Sequence, residues 1–257
     1  MQGSIFRLFQ KERRNTSPRI KGEPHQALAQ VDLSKIIPKQ LVFGCCQSVG
    51  KHRDHNEDFL FSFCSSIAGE NDNSAFGFFV VADGMGGHQY GEIASSTAVH
   101  TVTDFVLNKY QSIFSLGMES IKESPHEIME AAIHKAQSAV INAAPGSGTT
   151  LTAALVINNQ VTIGHVGDSR AYEINSNGHL EQITHDHSFV KKLEELGQIT
   201  IDEALTHPQR NVLLQAVGQG ESIEVDVFSI TFPQPGYILL CSDGLWGVLS
   251  GEQLGNI

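Results

Sequence analysis

The chain has 257 residues, enough for one large domain or two small ones, and its hydrophobic content of 40% is ordinary for a globular protein. No apolar run approaches the roughly 18 residues that a membrane-spanning helix needs, and the formal net charge of −11 argues against nucleic acid as a partner. Four cysteines without CxxC spacing, Cys45, Cys46, Cys64 and Cys241, are typical of free thiols and predict a reducing compartment, the cytoplasm.

Residues 1–40 differ in charge from the rest of the chain. Eight Lys/Arg against three Asp/Glu give them a net charge of +5, which leaves −16 for the remainder. Pro18, Pro24 and Pro38 interrupt this polar stretch. The pattern predicts a mostly disordered basic arm over residues 1–40, followed by a folded domain over residues 41–257. The apolar side chains among residues 5–9 also allow a short helix that binds a partner or a membrane surface.

The start of the folded domain combines short strands with two longer helices. Three strands and then a helix of 3.6-residue periodicity are predicted over residues 41–49, 59–65, 75–83 and 91–110. A second helix is predicted to begin at residues 124–127, where a capping-box spacing coincides with Pro125 at the first helical position.

Strands resume beyond the second helix. They are predicted over residues 149–157, 161–167, 170–174, 179–184 and 237–244. Asn177-Gly178 is a hairpin signal, and two short helices are expected over residues 188–197 and 200–207. Because the strands form hairpin-spaced clusters with helices grouped between them, the pattern favours antiparallel sheets in one α+β domain.

Three aspartates each follow an apolar strand and stand beside glycine or a small polar residue: Asp83, Asp168 and Asp243. Strand ends hold carboxylates rigidly, and carboxylates without His or Cys favour Mg²⁺ or Mn²⁺ over zinc. Asp-Gly also makes simple turns, so spacing alone leaves both interpretations open.

A fourth acidic group lies in residues 53–58, just before a predicted strand. It contains Arg53, Glu57 and Asp58. An arginine beside acidic residues is often only a surface ion pair. Near a metal site, however, its planar fork could hold a phosphate through two hydrogen bonds.

Seven segments resemble, in this order, the successive motifs of the metal-dependent serine/threonine protein phosphatases (type 2C, or PPM) of bacterial type. The resemblance covers about residues 41–250. The segments are RDHNEDFL, VVADGMGGHQYGEIAS, SGTTLTAALV, VTIGHVGDSRAY, THDHSFVKKLEELGQIT, HPQRNVLLQAVG and ILLCSDGLWGVLS.

The resemblance implies an α+β fold, a four-layer α-β-β-α sandwich of two antiparallel sheets flanked by helices. It implies two Mn²⁺ or Mg²⁺ ions, with Asp83 bridging them, the Gly84 carbonyl binding one and Asp243 the other. Asp168 would help to form the third metal site found in many bacterial-type members.

The resemblance also assigns the catalytic residues. Arg53 would grip the substrate phosphate, while Glu57 and Asp58 would act through metal-bound water or hold the metal ligands. Residues 185–210 resemble a flap that influences substrate choice, so His185 and His187 within it are not predicted as ligands. Some members place a histidine after the Asp-Gly pair, where this chain has Met85. His88 and a metal-bound water therefore both remain candidates for the general acid.

The expected activity is hydrolysis of phosphoserine and phosphothreonine in substrates of a Ser/Thr kinase, by direct attack of a metal-activated water. The chain contains neither a GxSxG elbow nor a Cys-x₅-Arg loop, as expected without a phosphoenzyme. A monomer is expected.

The chain departs from the family at its C-terminal end. It lacks the Asp-Asn-Ile/Val-Thr segment and closing strand that normally follow, and with them one metal-binding aspartate. Two explanations stay open: a fragment of a longer enzyme, or a truncated phosphatase-like module that binds phosphoproteins without turnover. A metal-dependent hydrolase of another fold, acting on a small phosphate ester, is a third alternative.

Overall fold

Two antiparallel β-sheets packed face to face form the centre of the molecule. The structure, a computed structural model, describes residues 3–10, 40–51, 54–68, 73–86, 89–111 and 122–255. The first sheet contains five strands in the order β2 (Leu41–Ser48), β1 (Gly3–Gln10), β11 (Gly236–Cys241), β8 (Arg170–Asn175) and β9 (Leu180–Gln182).

The second sheet has the order β10 (Asp226–Thr231), β7 (Gln160–Val166), β6 (Leu151–Ile157), β4 (Asn73–Met85) and β3 (Asp58–Ala68). The short β5 (Gly148–Thr149) pairs with the end of β4, where Gly84 lies opposite Thr149. All pairings in both sheets are antiparallel, as the hairpin spacing of the strands predicted.

Two long helices and four short ones are present in the described part of the chain. They are α1 (Gln89–Tyr110), α2 (Pro125–Ala143), α3 (Phe189–Glu195), α4 (Ile201–Thr206), α5 (Asp243–Trp246) and α6 (Gly251–Gly255). The predicted capping box of α2 is confirmed, with Ser124 and Glu127 exchanging hydrogen bonds. Neither of the two longer helices described is apolar enough to cross a bilayer.

Strand β4 shows how one strand serves two hydrophobic cores. Phe78, Val80 and Ala82 belong to the core beneath α1 and α2. The alternate residues Phe79 and Val81 belong to the core between the two sheets. Since successive side chains of a strand point to opposite faces, a strand buried on both faces must be apolar throughout.

Helices flank the sandwich on both outer faces. Helices α1 and α2 cover the second sheet. On the first sheet, Leu245 and Trp246 of α5 pack against a small core formed by Tyr172, Ile174, Leu239 and Cys241. The predicted α-β-β-α sandwich is therefore confirmed, with short helices supplying one outer layer.

Residues 3–10 correct the predicted arm. They form β1, hydrogen-bonded between β2 and β11, so the prediction of a disordered arm or a surface helix is wrong for this stretch. Its apolar residues, Ile5, Phe6, Leu8 and Phe9, suit a strand, but only the distant partners β2 and β11 make it one. The remainder of the arm, residues 11–39, lies outside the described residues, and the domain boundary at residue 41 otherwise stays a prediction.

Strand β10 was not predicted from the sequence. It is an edge strand that pairs with β7, and its residues are half-buried or exposed without strict alternation. The period-2 signal on which strand prediction depends is therefore weak in this segment.

Replacing Phe78 by Ala should lower the free energy of unfolding by about 3–5 kcal/mol, because the fully buried ring would leave a cavity beneath α1. Urea denaturation of the purified protein measures this change. The control is Leu196→Ala, whose side chain is 60% exposed and should change the value by no more than about 0.5 kcal/mol. Equal losses in both variants would contradict the assignment of the core.

Candidate metal centre

Asp83 lies near the end of β4 and is held there by the neighbouring strands. In the antiparallel pairing with β3 it lies opposite Asp58. Its backbone N–H donates to the Thr150 hydroxyl at 2.9 Å, and its carbonyl accepts from the Thr150 N–H and the Thr149 hydroxyl, both at 2.9 Å. The backbone that carries this carboxylate is therefore fixed at both its N–H and its C=O.

Gly84 lies where β4 meets the start of α1, and only glycine fits there. A Cβ at this position would lie 2.1 Å from the backbone oxygen of Gly91 and 2.7 Å from that of Glu57. The Gly84 N–H donates to the Glu57 carbonyl at 3.1 Å, and the Ser95 hydroxyl of α1 donates to the same carbonyl at 2.6 Å. The helix, β4 and the segment before β3 thus meet at one point.

The first sheet brings two further aspartates to the same end of the sandwich. Asp168 lies in the turn between β7 and β8, and its backbone carbonyl accepts from the Trp246 indole N–H at 3.0 Å. Asp243 is the first residue of α5, directly after β11. The preceding Ser242 donates its hydroxyl to the Asp58 carboxylate at 2.8 Å, which joins the two sheets across the site.

The electrostatics show that these carboxylates lie close together. Burial raises the pKa of Asp83 well above its usual range, and three neighbouring carboxylates add to the shift: Asp58, Asp243 and Asp168. The Asp243 side chain lies within hydrogen-bonding reach of the Asp83 carboxyl. Burial, followed by the charges of Asp243 and Asp186, raises the pKa of Asp168 to about 7. Such a group is stabilised by protons or by cations.

The chemistry of these side chains fits a hard divalent cation. Asp83, Asp168 and Asp243 offer only oxygen, which Mg²⁺ and Mn²⁺ prefer. Within the described residues, no three His, Cys, Asp or Glu side chains already surround a common point. The aspartates thus form a preassembled acidic group rather than a closed coordination sphere.

The remaining predicted site residues are distributed around this group. Glu57 and Asp58 are buried, at 6% and 5% exposure, and lie beside Gly84 and Asp83 respectively. Arg53 and His88 lie outside the described residues, so their predicted roles stay predictions. His187 contacts the Asp226 carboxylate at 3.2 Å, and His185 contacts Glu195.

Sequence reasoning missed the residues that support this group. Arg170 forms an ion pair with Asp186 at 2.6 Å, and its guanidinium lies 3.6 Å from the centre of the Trp246 ring. An arginine two residues after Asp168 is the only sequence signal. Its partners lie 16 and 76 positions further along the chain, and no local pattern connects residues so far apart.

The comparison with protein families identifies the chain. The family model for Protein phosphatase 2C matches residues 53–254, which includes all the aspartates described above. The chain belongs to this family. The resemblance of the seven motifs is thereby confirmed.

Curated relatives and solved structures of this family are similar over most of the chain. Serine/threonine phosphatase stp of Listeria welshimeri is 36% identical over 210 residues, which cover 81% of this chain and 79% of the relative. Protein phosphatase PhpP of Streptococcus pneumoniae is 33% identical over 217 residues, covering 81% and 80%. The crystal structure of the Mycobacterium tuberculosis serine/threonine phosphatase PstP/Ppp matches with a TM-score of 0.65 and 32% identity, covering 80% of each chain.

Asp83→Asn should stabilise the metal-free protein, although it removes the central carboxylate. The folded protein raises the pKa of Asp83, so the ionised side chain destabilises the fold increasingly as pH rises above its ordinary pKa of about 4. Urea denaturation in EDTA at pH 8 should give a higher free energy of unfolding for the variant than for the unchanged protein. At pH 4 the difference in free energy of unfolding between the two proteins should be smaller.

With Mn²⁺ added, the unchanged protein should have a higher free energy of unfolding than Asp83→Asn, because the ion stabilises only a protein that binds it. A variant that is less stable than the unchanged protein in EDTA at pH 8 would contradict the mutual repulsion of the carboxylates.

Proposed function

We propose that this chain hydrolyses phosphoserine and phosphothreonine in proteins with two Mn²⁺ or Mg²⁺ ions held by Asp83, Asp243 and the Gly84 carbonyl, and a third near Asp168. Members of this family are metal-dependent serine/threonine phosphatases, and the chain is a hydrolase of that kind. The observation that carries the proposed site is the convergence of carboxylates from both sheets on Asp83: Asp58 and Asp168 are buried, and the exposed Asp243 joins them from the end of β11.

The number and identity of the ions rest on two kinds of support. The acidic group contains only hard oxygen donors, and its like charges need neutralising. The catalytic domain of serine threonine protein phosphatase PstP, described in complex with two manganese ions, matches this chain with a TM-score of 0.61 and 30% identity, covering 80% and 79%.

Each residue of the site has a distinct part in the proposed reaction. Divalent ions bound there lower the pKa of water and neutralise negative charge on a phosphoryl group. Asp83, fixed through its own backbone, would be the central ligand that holds the ions. Asp58 and Glu57 hold the surrounding segments through Ser242 and Gly84, while Arg53 orients the substrate phosphate. No side chain is needed as a nucleophile.

The substrates are phosphoproteins, and we infer that a Ser/Thr kinase generates them. Residues 185–210, which include α3 and α4, would contact the peptide around the phosphorylated residue. We further infer a cytoplasmic location, because all four cysteines are free and Cys45 and Cys46 are exposed. That the protein is a monomer stays a prediction.

Phosphate release from a phosphothreonine peptide with Mn²⁺ tests the proposed function. We expect release that EDTA abolishes, and a loss of at least about 100-fold in Asp83→Asn and Asp243→Asn, since each removes a metal-binding carboxylate. Asp104→Asn is the matched control, because Asp104 is exposed on α1, where it accepts a hydrogen bond from Asn108, and should leave activity unchanged.

Three results would contradict the proposal in different ways. Tight binding of the phosphopeptide without release would identify a phosphoprotein-binding module. Hydrolysis of p-nitrophenyl phosphate without activity on any phosphopeptide would indicate a small-molecule hydrolase. Phosphate trapped covalently on the protein during turnover would exclude direct attack by water.

A further inference from the structure

Arg170 connects three segments that are far apart in the sequence. It is the first residue of β8, two positions after Asp168. Its Nε donates to Asp186 Oδ1 at 2.9 Å and its Nη2 to Asp186 Oδ2 at 2.6 Å, while Nη1 donates to the Tyr172 hydroxyl at 3.1 Å. Asp186 is 5% exposed and also accepts from the Gln182 amide at 2.8 Å. This is a bidentate ion pair between the buried Asp186 and the partly buried Arg170 rather than a surface contact.

Trp246 adds the third segment. The Arg170 guanidinium stacks on its ring, and its indole N–H donates to the Asp168 carbonyl at 3.0 Å. Trp246 is the last residue of α5, whose first residue is Asp243. The turn that carries Asp168 and the helix that carries Asp243 are thus held against each other by one arginine and one tryptophan.

Asp186 belongs to the segment that leads into the flap. This flap root, residues 183–188, lies along the Asp168 turn: the His187 N–H donates to the Gly167 carbonyl at 2.7 Å, and the Ala171 N–H donates to the Thr184 hydroxyl at 3.0 Å. The chain returns to the same place just beyond the flap, because the Leu214 N–H donates to the His187 carbonyl at 2.8 Å. The segments at both ends of the flap are therefore attached beside Asp168.

The contacts of Arg170 favour a supporting role over direct binding of phosphate. Its Nε, Nη1 and Nη2 are each engaged by Asp186 or Tyr172, and one face of the guanidinium is covered by Trp246. A phosphate held by the Nε–Nη2 fork would have to displace the buried Asp186 carboxylate. Arg170 therefore acts on the site indirectly, through the segments that it holds in place.

We propose that Arg170 is a positioning residue whose clamp on Asp186 and Trp246 sets the separation of Asp168 and Asp243 and ties both to the root of the flap. The inference rests on the proposed metal site. Arg170 would thereby determine both the separation of Asp168 and Asp243 and the position of the flap that contacts the peptide. Lysine cannot replace it, because an ammonium group supplies neither the planar fork nor the stacking face.

Mn²⁺ binding without substrate tests the clamp directly, by the electron paramagnetic resonance signal of the free ion. Arg170→Lys and Arg170→Gln should both raise the Kd of the weakest-bound Mn²⁺ by at least about tenfold, with no rescue by the charge of lysine. Trp246→Phe keeps an aromatic face but loses the N–H to Asp168, and it should raise the Kd to a similar extent. Lys109→Gln is the control, since it removes the ion pair with Glu123 far from the site.

Circular dichroism in the far ultraviolet, with a cooperative thermal transition above the measuring temperature, confirms that each variant is folded; the near ultraviolet is unsuitable because Trp246 is the single tryptophan of the chain. If the Arg170 variants do not fold, Trp246→Phe decides the question. An unchanged Mn²⁺ Kd in a folded Arg170→Lys or Trp246→Phe variant would overturn the clamp. If even Asp243→Asn leaves Mn²⁺ binding unchanged, the proposed metal site itself fails, which separates the two proposals.

A comparison of two substrates tests the connection to the flap. At saturating Mn²⁺, Arg170→Lys should lower kcat/KM for a phosphothreonine peptide several-fold more than for p-nitrophenyl phosphate, because the small ester does not reach the flap. A purely structural weakening would lower both by the same factor, and equal losses would overturn the connection to the flap.

Discussion

Repulsion among carboxylates gathered at one end of the β-sandwich is the constraint around which the structure is arranged. Asp58, Asp243 and Asp168 lie close enough to Asp83 to raise its pKa, and burial makes the negative charge of Asp83 more costly than it would be in water. No folded chain would gather these groups for stability alone. The cores on both faces of β4 must supply the stability that offsets this arrangement.

The backbone holds the acidic residues in place at the ends of strands, against this repulsion. Thr149 and Thr150 hold the peptide groups of Asp83, and the contact of Gly84 with Gly91 brings α1 against β4. Ser242 reaches across from the first sheet to Asp58. A carboxylate held in this way cannot retreat from its neighbours, so a cation rather than a rearrangement relieves the charge.

Support for the site continues outward through polar contacts that are themselves partly buried. The ion pair of Arg170 and Asp186 and the hydrogen bond from Trp246 to the Asp168 carbonyl link the acidic group to the root of the flap. The metal centre and the surface beside it are therefore parts of one connected network. Substrate contact and ion binding need not be independent in such an arrangement.

The sequence alone determined those features that depend on residues close together in the chain. It predicted the two long helices, the capping box at Ser124, the strand that is β4 and three aspartates at strand ends, because each has a local pattern of spacing or composition. Only the tertiary structure decided that residues 3–10 form a strand, that β10 closes an edge, and that Arg170 meets Asp186 and Trp246. The physical reason is that hydrogen bonds between strands and buried ion pairs join residues far apart in the chain, and no local periodicity records which distant partner is present.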